Sequence, residues 1–79
     1  MNEAEDTTLR IMSEICRVPR ERLTPETRLV QDLNIDSVIT LDLLLEIEEV
    51  LGLEITEVEA AAMVTVDDVL SYVREKVAA

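Results

Sequence analysis

The chain has 79 residues, room for one domain with a thin core, since a domain of this size buries only about 60% of the surface its unfolded form exposes. No His, one Cys and one Gly exclude imidazole catalysis, His-rich or Cys-rich metal centres, an internal disulfide and a Gly-rich phosphate loop. A net charge of −11 excludes nucleic acid and anionic membrane surfaces as partners.

The first predicted helix runs from about Asp6 to Arg17, with Leu9, Met12, Ile15 and Cys16 at helical spacing and Ile11 beside them. Asp6 or Thr7 is placed to cap it, and Pro19 restricts Val18 and stops it. Cys16, among apolar positions, is expected as a buried thiol. Residues 18–36 read as a long connection with turns at Thr24, Pro25 and Thr27. Its apolar Leu23, Leu29, Val30 and Leu33 are expected in the core, with a short helical turn allowed near 29–33. A loop this long in a compact domain is often functional.

The second helix is predicted over Ser37–Leu51, between Asp36 as N-cap and Gly52 just past its end. Leu43, Leu44, Ile47 and Leu51 form its core stripe, while Val38, Leu41 and Leu45 recur at i, i+3, i+7 on a different side. Asp42, Glu46, Glu48 and Glu49 lie along and between the stripes. Two readings stay open: an exposed docking stripe edged with carboxylates, which the pattern favours, or a central helix buried nearly all round. A short third helix fits Glu57–Ala62, with Thr56 and Glu59 at capping-box spacing and Val58, Ala61 and Met63 held by the rest of the fold. The fourth follows Thr65, which repeats the box with Asp68. Val66, Val69, Leu70, Val73 and Val77 face the core, Tyr72 lies at the edge, and Ala78-Ala79 frays.

No strand pattern competes. The expected fold is all-α: a small four-helix bundle of three longer helices and one short one, with a long loop between helices one and two and a single domain over 1–79. With Tyr72 as the only aromatic residue, Leu, Ile, Val, Met and Ala must fill the core. No apolar run approaches the ~20 residues of a membrane span, and no secretory leader is visible, so the expectation is a cytoplasmic monomer. The start at Met1 and the lack of linker sequence suggest a free-standing protein.

The charge is segregated. Residues 29–73 hold eleven acids and no base, while the flanks hold seven of each, so the middle segment carries the whole net charge. Solubility alone would account for the sign; the segregation points to basic protein surfaces as partners. Carboxylates abound, but so small a bundle is not expected to enclose a paired-carboxylate active site, and no catalytic residue or metal ligand stands out. Ser37 remains. At a helix N-terminus, free N–H groups and the helix dipole would stabilise a phosphodiester on its oxygen. The plain alternative is a first-turn serine of the kind many helices have.

The run Leu29-Val30-Gln31-Asp32-Leu33-Asn34-Ile35-Asp36-Ser37-Val38, then Leu41, Asp42, Leu43, Glu48, Glu49, Leu51 and Glu54-Ile55, resembles the acyl carrier protein family over essentially the whole chain. The resemblance implies that Ser37 holds a 4′-phosphopantetheine arm, moved from coenzyme A by a phosphopantetheinyl transferase, and that the arm carries acyl groups as thioesters. It implies that Asp36 helps the transferase dock. Val38, Leu41 and Leu45 would face partners, with Asp42, Glu48 and Glu49 as recognition acids. Leu43, Leu44, Ile47, Leu51 and Met63 would border an acyl pocket. Partners would be acyltransferases, ketosynthases or similar enzymes with basic docking surfaces. Asn34 replaces the usual Gly, Val38 replaces Leu, and Ile39 and Ala61 replace residues that are often acidic. These departures favour polyketide or related natural-product assembly over fatty-acid synthesis. A peptidyl or aminoacyl carrier, and a non-enzymatic acidic adaptor with Ser37 unmodified, are the alternatives.

Overall fold

A computed structural model describes residues 3–78. Helix α1 (Glu3–Cys16) begins three residues earlier than expected. Glu3, Glu5 and Asp6 fill its first turn, where carboxylates meet the positive end of the helix, so Asp6 and Thr7 lie inside it and cap nothing. Asp6 pairs with Arg20. Glu5 is buried and pairs with Arg74 at 3.3 Å, joining the two ends of the chain. The helix closes on Arg17, left-handed at φ 57°, with the Val18 N–H donating to the Ser13 carbonyl at 3.2 Å.

The connection contains a 3₁₀ turn (Arg20–Arg22) and a one-turn helix, α2 (Leu29–Asp32), where a helical turn was allowed. Buried Thr27 organises it: its hydroxyl accepts from the Thr24 N–H at 3.0 Å and donates to the Arg22 carbonyl at 3.0 Å. An isolated antiparallel bridge pairs Arg28 with Thr65, through Leu29 N–H to the Val64 carbonyl and Val66 N–H to the Thr27 carbonyl, both 2.9 Å. The loop is thereby stitched to the start of the last helix. Leu23, Leu29 and Leu33 are buried as expected. Val30 is not: it is 57% exposed, because Leu29 and Leu33 take the inward i, i+4 side of that turn.

Helix α3 (Ser37–Leu51) has the predicted bounds and ends on Gly52 at φ 67°. Leu43, Leu44 and Ile47 are buried and Leu51 is half-buried. Helix α1 packs against both α3 and the last helix, α5 (Val66–Ala78). Helix α4 (Glu57–Ala61) has the complete Thr56–Glu59 capping box, yet buries no residue of its own. Val58 is 82% exposed and Ala61 is exposed, contrary to expectation; only Met63, beyond the helix, is buried. Polar bonds hold α4 instead. The Tyr72 hydroxyl donates to the Glu54 carbonyl at 2.7 Å and to Glu59 Oε1 at 3.2 Å, and Lys76 lies 3.7 Å from Glu59. Tyr72 is therefore buried rather than at an edge. On α5, Val66, Val69, Leu70 and Val73 are buried. Val77 is 48% exposed, over an open cleft it shares with Glu3, Ala4 and Thr7 of α1 and with Val50 and Leu51 in the last turn of α3. The expected fraying concerned Ala78, which α5 includes, and Ala79, which lies outside the described residues. No strand occurs among the described residues, and no described helix is long and apolar enough to cross a membrane.

The caps carry a pH dependence. Asp68 takes the Thr65 and Val64 N–H groups, and Glu59 takes that of Thr56; these bonds hold both carboxyls below the usual range. A carboxyl depressed in the folded state stabilises it above the unfolded value, and that stability is lost as pH falls through the folded one. The caps' contribution to the melting temperature is thus expected to fade below about pH 4, as thermal melts of wild type against Asp68→Asn from neutral to acid pH will show.

Candidate functional site

The α2–α3 bend alternates buried and exposed positions. Leu33 and Ile35 are buried anchors, and Asn34 between them turns the chain at φ 55°, a left-handed conformation that Asn tolerates better than most residues. Asp36 follows in extended conformation and collects three donors. Its Oδ1 accepts from the Ile39 N–H at 2.9 Å, and its carbonyl accepts the Thr40 N–H at 3.0 Å and the Thr40 hydroxyl at 2.9 Å. Ser37 is the next residue, first in the helix and exposed. Sequence reasoning did not single out Ile35 or Thr40. The signal for Ile35 was an apolar residue immediately before an N-cap; Thr40 gave none. Asp36→Ala is expected to cost about 1 kcal/mol of stability through the lost cap, measured by urea unfolding.

Of the two readings of α3, the exposed stripe is the one seen. Val38, Leu41 and Leu45 are 65%, 58% and 51% exposed. Asp42, Glu46 and Glu49 are exposed near them, whereas Glu48 is half-buried and its Oε2 accepts the Ile55 N–H at 3.0 Å. Ion pairs reach the acidic segment at Asp32, held by Arg28, and at Glu59, held by Lys76. The Arg28 bonds keep the Asp32 carboxyl below its ordinary range. The remaining acids repel one another, so raising ionic strength, or adding millimolar divalent cations, is expected to raise Tm; a salt series of thermal melts checks this.

The five residues read as pocket borders do not share a cleft. Leu43, Leu44 and Ile47 lie in the packed core. Leu51 lines the cleft beneath Val77. Met63 walls two open clefts of about 320 and 340 Å³ on either side of it. Cys16 is half-buried on α1 rather than fully buried, and its burial pushes the thiol up, keeping it protonated. No cluster of metal-ligating side chains occurs among the described residues.

Comparison with known proteins bears on this geometry. The family model described as the phosphopantetheine attachment site matches residues 6–73. The acyl carrier protein of Thermosynechococcus vestitus is 37% identical over 81 aligned positions, covering 100% of both chains. The chain belongs to the acyl carrier protein family. Acyl carrier proteins are carriers, not enzymes; their prosthetic group is phosphopantetheine, and they work with a phosphopantetheinyl transferase and with acyl-processing enzymes. The residues present fit that group. An exposed hydroxyl stands in the first turn of a 15-residue helix, where a tethered phosphodiester would meet the positive helix end and remain in water.

Proposed function

We propose that Ser37 is the attachment point for 4′-phosphopantetheine, and that the protein uses the arm to deliver acyl intermediates to partners of polyketide or related natural-product assembly. The observation that carries the attachment is the exposed Ser37 hydroxyl at the first position of α3, fixed by the Asp36 cap and the buried Leu33 and Ile35 anchors. When attached, the group supplies a terminal thiol for acyl cargo. The carrier's part is to hold that cargo at high effective concentration near a partner's active site.

The docking face in this reading is the exposed stripe Val38, Leu41 and Leu45, with Asp42 and Glu49 beside it and Asp36 next to the modified oxygen. Acyltransferases or ketosynthases with basic surfaces around an apolar patch are complementary to it. Leu43, Leu44, Ile47 and Leu51 are the interior available to a sequestered acyl chain, with Met63, wall of two clefts, as its point of entry. Of the two departures at often acidic positions, Ile39 and Ala61, Ala61 is the more informative. Ile39 packs partly against the core and has a structural reason to be apolar; Ala61 is exposed and has none. The reading takes the chain as one carrier domain, monomeric and cytoplasmic.

Incubation with coenzyme A and a phosphopantetheinyl transferase is expected to add the mass of one phosphopantetheine. The loaded protein is expected to support purified fatty-acid synthase enzymes poorly; elongation equal to that of a fatty-acid carrier would overturn the pathway assignment.

A further inference from the structure

Glu48 and Glu49 look alike in the sequence and differ in the structure. Glu49 is exposed. Glu48 sits at the border between the buried Leu44 side of α3 and the exposed Leu41 side, and it is half-buried. Three N–H groups of the following loop converge on it. Its carbonyl accepts from Gly52 and from Leu53, the latter at 3.0 Å, and its carboxylate accepts from Ile55 at 3.0 Å. The carboxylate also acts inward: burial first, then the Glu59 bond, then the charges of Glu59, Glu48 and Glu54, push the Tyr72 hydroxyl up. Ile55 directly precedes Thr56, whose box starts α4. Because α4 has no fully buried residue and only Ala60 packs partly against the core, its place leans on such polar bonds.

We infer that Glu48 is a positioning residue whose carboxylate clips the α3–α4 loop through the Ile55 N–H, so that the charge offered to partners beside the exposed stripe comes from Asp42 and Glu49. This rests on the proposed docking face and divides its acids by task. A base that recruited Glu48 would have to displace the Ile55 N–H and loosen the start of α4; a base that recruited Glu49 would displace only water.

Amide hydrogen exchange and transferase kinetics on the full chain separate the tasks. Glu48→Ala is expected to speed exchange of the Ile55 amide at least about tenfold, and Glu48→Gln, which keeps the acceptor, to restore slow exchange. Glu49→Gln is expected to raise the transferase KM several-fold, roughly the effect of a lost rim charge, and to leave Ile55 unchanged, while Glu48→Gln leaves KM near wild type. Unchanged Ile55 exchange in Glu48→Ala, or a KM rise in Glu48→Gln equal to that in Glu49→Gln, overturns the inference. Wild-type protein gives a reading free of any folding loss: Ile55 must exchange at least about tenfold more slowly than Glu54, whose N–H makes no hydrogen bond. If no variant is loaded at all, the carrier reading fails, and Ile55 exchange still judges the clip.

Discussion

Ser37→Ala is expected to abolish the phosphopantetheine mass gain and all carrier function while leaving the bundle folded. The side chain is exposed, is the first helical residue, and makes no hydrogen bond in the structure. Removing its oxygen therefore breaks no contact, and Ala is the better helix former. Stability should stay within about 0.5 kcal/mol of wild type. The loss of function is total because the hydroxyl oxygen is the only point of covalent attachment in this reading. Intact mass after incubation with coenzyme A and transferase reads the first effect, and far-ultraviolet circular dichroism with a thermal melt reads the second. A mass gain that survives in Ser37→Ala sinks the assignment. Asp36→Ala gives the converse pattern, a weaker helix start with the attachment oxygen still present.

Leu43→Ala carries the largest expected cost in stability. Leu43 is fully buried on the inner side of α3, and a leucine truncated at such a site costs about 2–5 kcal/mol in lost transfer energy and cavity. A small domain near the lower end of the usual ~5–15 kcal/mol has little to spare. Repulsion among the acids of residues 29–73 reduces the margin further at low salt. The variant is expected to be largely unfolded in dilute buffer and partly restored by salt, as urea titrations at two ionic strengths will show. Leu41→Ala is the paired control. It lies two residues earlier on the same helix, yet its side chain is 58% exposed, so its stability should change by at most about 0.5 kcal/mol. Its cost should appear in transfer to partner enzymes. Equal destabilisation by the two substitutions would mean that the outer stripe is not free.

The features most legible in the sequence were those fixed by local chemistry. The bounds of α3 follow from Asp36 and Gly52, whose roles depend on a few neighbouring atoms. The boxes at Thr56–Glu59 and Thr65–Asp68 were readable for the same reason. The misses concern what tertiary packing decides. Val30 and Val77 were assigned to the core by residue type, but Val30 points outward from a one-turn helix and Val77 lines an open cleft. Val58 and Ala61 were expected to be held by apolar contact, and α4 turned out to hang on Tyr72 and Lys76, partners far away in sequence. At the candidate site, the exposure of Val38, Leu41 and Leu45 followed from two stripes on one helix that can face only one core. The different surroundings of Glu48 and Glu49 did not, because they depend on where a loop returns seven residues later.

Tyr72 is the only aromatic side chain in the protein, and it stands where α4 is fastened to α5. Near-ultraviolet absorbance and tyrosine emission from this chain therefore report on a single junction. A change in that signal without loss of far-ultraviolet helicity would mark α4 coming free while the other helices stay packed. The only aromatic chromophore thus sits on α5 with its hydroxyl against α4, so the movement of α4 can be followed without any added label.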